Sequence, residues 1–162
     1  MIRSAIPADG AAMADIYNHY ILNSVITFEG ERVSTEQMQE RLGQAQGHHH
    51  PWLVYEDNGS IVGYAYASSW KSRHSYRRSV ESTVYFRKDK TGKKLGTHLY
   101  GRLIELLRLA GFHAVIGGIA LPNEASVGLH EKLGFTKVAH FKEVGWKFER
   151  WIDVGYWQLM LS

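Results

Sequence analysis

Cysteine is absent from all 162 residues, which excludes disulfides, thiolate metal sites and a cysteine nucleophile, and leaves nothing that demands an oxidising compartment. Only three prolines occur, and neither an internal repeat nor a low-complexity linker interrupts the chain. No apolar run approaches the roughly 20 residues that span a bilayer. Met1-Ile2-Arg3-Ser4 leads into polar residues without the apolar core of a signal segment. The expectation is a soluble, cytoplasmic protein with no membrane partner. A strong excess of one charge is also missing: the net +3 tilts the chain only slightly toward anions and is equally a solubility feature. With 44% hydrophobic residues, the length suits a single domain over residues 1–162.

The periodicities alternate between two types. Ile2 to Ile6 reads as a strand, and Met13, Ile16, Tyr17, Tyr20 and Ile21 follow helical spacing. Ser34 and Gln37 have capping-box form ahead of a second helix with Met38, Leu42 and Ala45 inside. Trp52–Tyr55 and Ile61–Ala67 are strand-like runs joined through Asn58-Gly59, a hairpin signal. Val80–Phe86 is a further strand, and Leu99, Leu103, Leu106, Leu107 and Ala110 mark a helix stopped by Gly111. His113–Ile119 is a strand, Asn123 caps a short helix reaching Leu133, and Gly134 precedes a strand over Phe135–Phe141. The aromatic tail with Trp146, Phe148, Trp151, Val154, Tyr156 and Leu159 predicts two more strands closing the sheet. The fold class is α/β with one central sheet.

Charge gathers in two places, Lys71 to Arg78 and Arg87 to Lys94, on either side of the strand Val80–Phe86. The second segment contains Asp89-Lys90-Thr91-Gly92-Lys93-Lys94-Leu95-Gly96 and opens a helix. Helix N-termini carry unpaired N–H groups and a positive dipole end, and glycine lets backbone approach an anion. The loop lacks the Gly-Lys-Ser/Thr ending of an ATP-binding P-loop. Taken alone, it fits either a phosphate cradle or a solvated connection.

Several short motifs occur in order along the chain: Trp70-Lys71-Ser72-Arg73, Glu81-Ser82-Thr83-Val84-Tyr85, Leu95-Gly96, Leu121-Pro122-Asn123, His130 to Phe135, and Trp151 to Leu159. In this order and spacing the chain resembles the GNAT superfamily of acetyltransferases, and within it the phosphinothricin and methionine-sulfoximine acetyltransferase branch. The resemblance implies a GNAT fold: a mixed, mostly antiparallel sheet of about seven strands, helices on both faces and a splayed parallel strand pair. It also implies acetyl-CoA as co-substrate, held by Val84, Tyr85, Phe86, Thr91, Gly92, Lys93, Lys94, Leu95, Gly96, Thr97, Asn123 and Ser126. Thr91 and Lys94 depart from the family's loop pattern, which has Gln or Arg and then glycine there. A Cβ at Lys94 is harmless at negative φ and costly at positive φ.

Acetyl transfer to an ammonium requires a proton acceptor, and Glu81 is the candidate, acting directly or through water. As a strand-end carboxylate it also fits simple neutralisation by Arg77 or Arg78. His130 occupies a position where many family members have tyrosine and this branch has histidine. It fits an acid to the leaving thiolate, a relay for the amine proton, or a structural histidine. The backbone N–H groups around Val84 would bind the thioester oxygen. Phe28, Lys71, Arg73 and Tyr76 match positions that surround a small amino-acid-like amine with anionic ends. Other acceptors, such as a polyamine or a peptide N-terminus, remain alternatives.

A non-enzymatic reading treats the two basic segments as a nucleic-acid surface with Trp70 and Tyr76 stacking on bases; the small net charge argues for no nucleic-acid partner. His48-His49-His50 are adjacent loop residues, an arrangement that seldom converges on one ion, so no metal is expected. Family members typically pair, and a homodimer is expected.

Overall fold

The computed structural model describes residues 1–92 and 94–162. Among the described residues, the chain forms β1 (Ile2–Ser4), α1 (Gly10–Asn23), α2 (Thr35–Gly47), β2 (Trp52–Asp57), β3 (Ser60–Ser69), β4 (Ser79–Phe86), α3 (Leu95–Leu109), β5 (Ala114–Leu121), α4 (Glu124–Lys132), β6 (Thr136–Lys147) and β7 (Arg150–Met160). The seven strands build one sheet in the order β1-β2-β3-β4-β5-β7-β6. Only β4 and β5 run parallel; the other neighbours are antiparallel.

Strand side chains alternate between faces, and each face is covered by its own helices. Ala65, Ala67, Val80, Phe86, Val115 and Ile119 pack with Leu99, Leu103 and Leu107 of α3. On the other side Val54 and Tyr64 pack with Met13, Ile16 and Ile21 of α1 and with Met38 and Leu42 of α2. Local signals set the ends of these elements. The Ser34 hydroxyl accepts from the Gln37 N–H at 3.1 Å while the Gln37 amide oxygen accepts from the Ser34 N–H at 2.9 Å, completing the expected capping box. Asn58 and Gly59 both take positive φ, 50° and 79°, as a tight hairpin turn requires.

Several strands run up to two residues longer at an end than the sequence reading, and two segments differ for a specific physical reason. β1 ends at Ser4 rather than Ile6, because the Asp9 carboxylate takes the Ile6 N–H at 2.9 Å and Pro7 starts a 3-10 turn. The run Phe135–Phe141 and the first aromatic segment after it are one strand, β6, which pairs with β7 through two register irregularities. Glu143, at φ 49°, sits in the second of these, and its N–H is taken by the Asp153 carboxylate at 2.8 Å. Phe148 and Glu149, both at positive φ, form the turn.

Gly63 of β3 faces Phe86 of β4 so closely that a Cβ would lie 2.4 Å from the ring. Gly63→Ala is expected to push Phe86 aside at a cost of about 1–3 kcal/mol, measured as a lower urea midpoint with an unchanged m-value.

Candidate functional site

The parallel pairing of β4 with β5 lasts for only three residues, Ser79↔Ala114, Val80↔Val115 and Glu81↔Ile116. Beyond Glu81 the strands separate, although β4 continues to Phe86 and β5 to Leu121. On its other edge β4 pairs with β3 from Val80 to Phe86, and the Arg87 N–H donates to the Val62 carbonyl at 2.8 Å. N–H directions alternate along a strand, so odd-numbered β4 amides turn toward β3 and even-numbered ones toward β5. The Glu81↔Ile116 rung uses the Ser82 N–H. The Val84 N–H is therefore the first even-numbered amide beyond the ladder, directed into the gap.

A cavity of about 400 Å³ opens beside this gap. Val84, Tyr85 and Phe86 of β4 form one wall; Thr91, Gly92 and Lys94 of the loop, with Gly96 and Thr97 of α3, form the rim; Asn123 and Ser126 belong to the start of α4. The sequence-predicted cofactor residues thus converge on one space, with two qualifications. Leu95 packs against the core under α3, and Lys93 lies outside the described residues. The cavity also takes Tyr20 and Ile26, and two further lysines, Lys90 and Lys132. Three ammonium groups and the N-terminal end of α3 make its mouth suited to phosphates. The Asn123 side chain caps α4 by accepting the Ser126 N–H at 3.1 Å, which sets the register of everything that follows on that helix.

His130 is one helical turn beyond Ser126 and is 5% exposed. Its Nδ1 donates to the Ser126 carbonyl at 2.7 Å, since a carbonyl oxygen can only accept. Burial holds its pKa below the ordinary histidine value despite that carbonyl, so the ring is neutral at pH 7 and Nε2 is an acceptor. Tyr100 of α3, fully buried, then donates its hydroxyl to Nε2 at 3.0 Å and in turn accepts from the Ser82 hydroxyl. The polarity of the chain Ser82 to Tyr100 to His130 to the Ser126 carbonyl is thereby determined. Gly117 of β5 makes room for it, because a Cβ there would meet His130 Nε2 at 2.5 Å.

Glu81 lies on the opposite face of β4. Ser82 bonds to α3, whereas Tyr85, which shares the parity of Glu81, packs against Tyr17 of α1 with ring centroids 5.2 Å apart. The Glu81 side chain and the α4 residue His130, the two sequence-predicted catalytic groups, therefore lie on opposite faces of the sheet. Glu81 forms no ion pair among the described residues. Burial raises its pKa above the usual carboxylate range, and the nearby Lys71 ammonium partly opposes this. Neutralisation by Arg77 or Arg78 is not seen. Arg77 instead donates to the His74 carbonyl at 3.3 Å.

The Acetyltransferase (GNAT) domain family matches residues 2–155. The chain belongs to the GNAT acetyltransferase family. It is 42% identical over 157 residues to the phosphinothricin N-acetyltransferase of Streptomyces viridochromogenes, covering 97% of this chain and 85% of that protein. It is 40% identical over 161 residues to the L-methionine sulfoximine/L-methionine sulfone acetyltransferase of Salmonella typhimurium, covering 99% and 94%. Its fold matches that of an acetyltransferase from Salmonella typhimurium solved with acetyl-CoA at a TM-score of 0.97 and 40% identity, over 100% of this chain and 94% of that one.

In this acetyltransferase the predicted substrate residues sit apart from the cavity beside the β4–β5 gap. Lys71, Arg73 and Tyr76 are exposed in the β3–β4 connection, and the Lys71 ammonium lies 5.0 Å from the Trp70 ring centroid. Trp70 packs edge-on against Tyr156, and Tyr156 covers Gly118 of β5. Phe28 approaches from the α1–α2 loop and lies against Gly145 of β6. Tyr100 was not singled out from the sequence, where it falls within an apolar helix; its position one residue after Leu99 and three before Leu103 was the available signal. The histidine run makes a surface stack, with the His48 and His50 rings 5.7 Å apart.

Lys94 takes φ 62° and ψ 7° at the N-cap of α3, so the departure from glycine falls at a left-handed position, where a Cβ costs about 1 kcal/mol. Lys94→Gly is expected to raise the thermal unfolding midpoint, and calorimetry on the two proteins checks it.

Proposed function

We propose that the protein transfers the acetyl group of acetyl-CoA to the α-amine of a small amino acid analogue, in the cytoplasm. The observation that carries this reading is the parting of β4 and β5 immediately after Glu81, which leaves a free backbone donor at Val84 beside a half-buried carboxylate and a phosphate-suited cavity. Acetyl-CoA fits the residues present: Lys90, Lys94 and Lys132 with the α3 N-terminus at the phosphate end, and the wall of β4 along the arm. The substrates named for the two relatives above, phosphinothricin and methionine sulfoximine or sulfone, join an α-amine to anionic or strongly polar ends. Lys71 and Arg73 would meet those ends, with Phe28 and Tyr76 as apolar walls.

Two protons leave the acceptor nitrogen. Glu81, whose raised pKa keeps it a competent base near neutrality, takes the first from the ammonium, directly or through one water. The Val84 N–H stabilises the charge that builds on the thioester oxygen as the amine attacks. The second proton is lost when the nitrogen becomes an amide. The polarity of the buried chain supports its passage through Ser82 and Tyr100 to His130 Nε2, and the same hydrogen bonds run in reverse would return it through Ser82 to the departing thiolate, leaving neutral His130 and a neutral thiol. His130 is thus a proton acceptor in relay rather than a standing acid.

The same surface logic supports the homodimer. β6 is an edge strand, and it and its turn expose Phe141, Trp146 and Phe148, with Trp151 beside them on β7. An exposed aromatic edge is a pairing surface. Light scattering after size-exclusion should give twice the chain mass.

The direct test is release of free coenzyme A from acetyl-CoA over a panel of amino acid analogues, polyamines and peptides. Turnover confined to polyamines or peptides would reject the acceptor class. Glu81→Gln should lower kcat/KM by on the order of 10²–10⁴. In wild type, kcat/KM falls as pH drops through the raised Glu81 pKa, and the variant should lose that limb. Folding favours the protonated form of Glu81, so its contribution to stability is present below the ordinary carboxylate pKa and lost as pH rises through the raised value. Glu81→Gln is therefore expected to be no less stable than wild type at pH 8, which separates a lost base from a damaged fold. Tyr100→Phe should lower kcat by roughly 10²-fold while the KM for acetyl-CoA is kept.

A further inference from the structure

Lys147 is a buried cation that this chemistry leaves unused. It ends β6 at 8% exposure, and its ammonium donates at 2.7 Å to the carbonyl of Thr27, 120 residues earlier in the chain. A buried ammonium is unfavourable unless it is paired and hydrogen-bonded, and the Glu29 carboxylate supplies the opposing charge. Glu29 is itself held by the Arg41 guanidinium of α2, at 2.5 and 3.2 Å to its two oxygens. The Thr27 hydroxyl shares a hydrogen bond with the Tyr17 hydroxyl at 2.8 Å.

Both neighbours of Phe28 are therefore tied down, one to β6 and α1, the other to α2. Phe28 itself is 45% exposed, yet its ring is placed: a Cβ on Gly145 would stand 2.3 Å from its Cζ and 2.5 Å from its Cε2. An aromatic ring bracketed in this way and left open on one side forms a wall. It stands on the side of the sheet that carries Glu81, because Tyr17, bonded to Thr27, packs on Tyr85 of the same β4 face.

We infer that Lys147 is a positioning residue for the acceptor site: its hydrogen bond to the Thr27 carbonyl latches the α1–α2 loop to β6 and fixes the Phe28 ring over Gly145 as the acceptor-side wall. The inference rests on the acetyl-transfer reading above for the identity of that side. A latch of this kind acts mainly on the acceptor side, because the cofactor cavity lies toward the far end of β4 and α4 and meets this loop at Ile26.

The test uses the full-length enzyme with methionine sulfone and acetyl-CoA, together with hydrogen exchange at residues 27–29 in the absence of either substrate. Lys147→Met should raise the acceptor KM by about tenfold or more, as expected for loss of a charge-assisted hydrogen bond, with a much smaller change in the acetyl-CoA KM and the loop amides exchanging faster. Lys147→Arg keeps a cationic donor and should stay near wild type. Gly145→Ala displaces the ring without touching the ammonium and should reproduce the rise in acceptor KM. A folded Lys147→Met with wild-type acceptor KM and wild-type exchange overturns the inference. If that variant does not fold, an unchanged acceptor KM in Gly145→Ala overturns it instead. Wild-type enzyme inert toward every amino acid analogue rejects the acceptor reading by itself, and the exchange comparison still decides the latch.

Discussion

The feature on which the site depends is a missing run of hydrogen bonds. β4 and β5 pair for three residues and then part, while β4 stays bonded to β3 and β5 stays bonded to β7 along its length. Each strand is thus held in place by its outer neighbour while its inner edge is open. Backbone polar groups inside a protein are almost always paired, so an open edge beside a cavity is a place where a ligand's polar atoms can complete the ladder. The helices support the opening. α3 packs beneath it through Leu99, Leu103 and Leu107, and α4 closes its far side from the Asn123 cap.

The sheet divides the titratable groups between its two faces and shifts them in opposite directions by the same cause. Loss of solvent raises the Glu81 pKa and lowers that of His130, so each is biased toward its neutral form. For Glu81 the field of Lys71 opposes that bias. Among the described residues His130 has no carboxylate partner that would favour an imidazolium, but a carbonyl on one nitrogen and a tyrosine hydroxyl on the other. The two groups stay on separate sides of the sheet and form no ion pair with each other among the described residues.

Much of this was legible along the chain wherever the controlling interaction is local. The Ser34 capping box, the Asn58-Gly59 turn, the Asn123 cap and the left-handed Gly111 and Gly134 are short-range devices, and each occurs where the residue pattern puts it. The segments from β4 to α3 that line the cavity were legible for the same reason, since a strand, a glycine-bearing loop and a helix start are consecutive in sequence. Long-range devices were not. Tyr100 looks like a core aromatic, and only its contact with residues from β4 and α4 makes it a link. Lys147 looks like a surface lysine in an aromatic strand, and its acceptor lies 120 residues away. The unity of β6 was hidden because an irregularity within a strand has no strong residue signature, and its Glu143 N–H is satisfied by Asp153 from the neighbouring strand.

By itself the sequence determined most of the elements, their order, the family they belong to, and most of the residues that gather at the cavity beside the β4–β5 gap, because these follow from periodicity, caps and contiguous motifs. Tertiary structure alone decided that Glu81 and His130 face opposite ways, that the Val84 amide is the first beyond the β4–β5 ladder, that His130 receives rather than gives a hydrogen bond at Nε2, and that Lys94 takes a left-handed turn. Each of these depends on which strand edge or buried group becomes a neighbour. Neighbours in space are chosen by packing of the whole sheet, and no local stretch of residues encodes them.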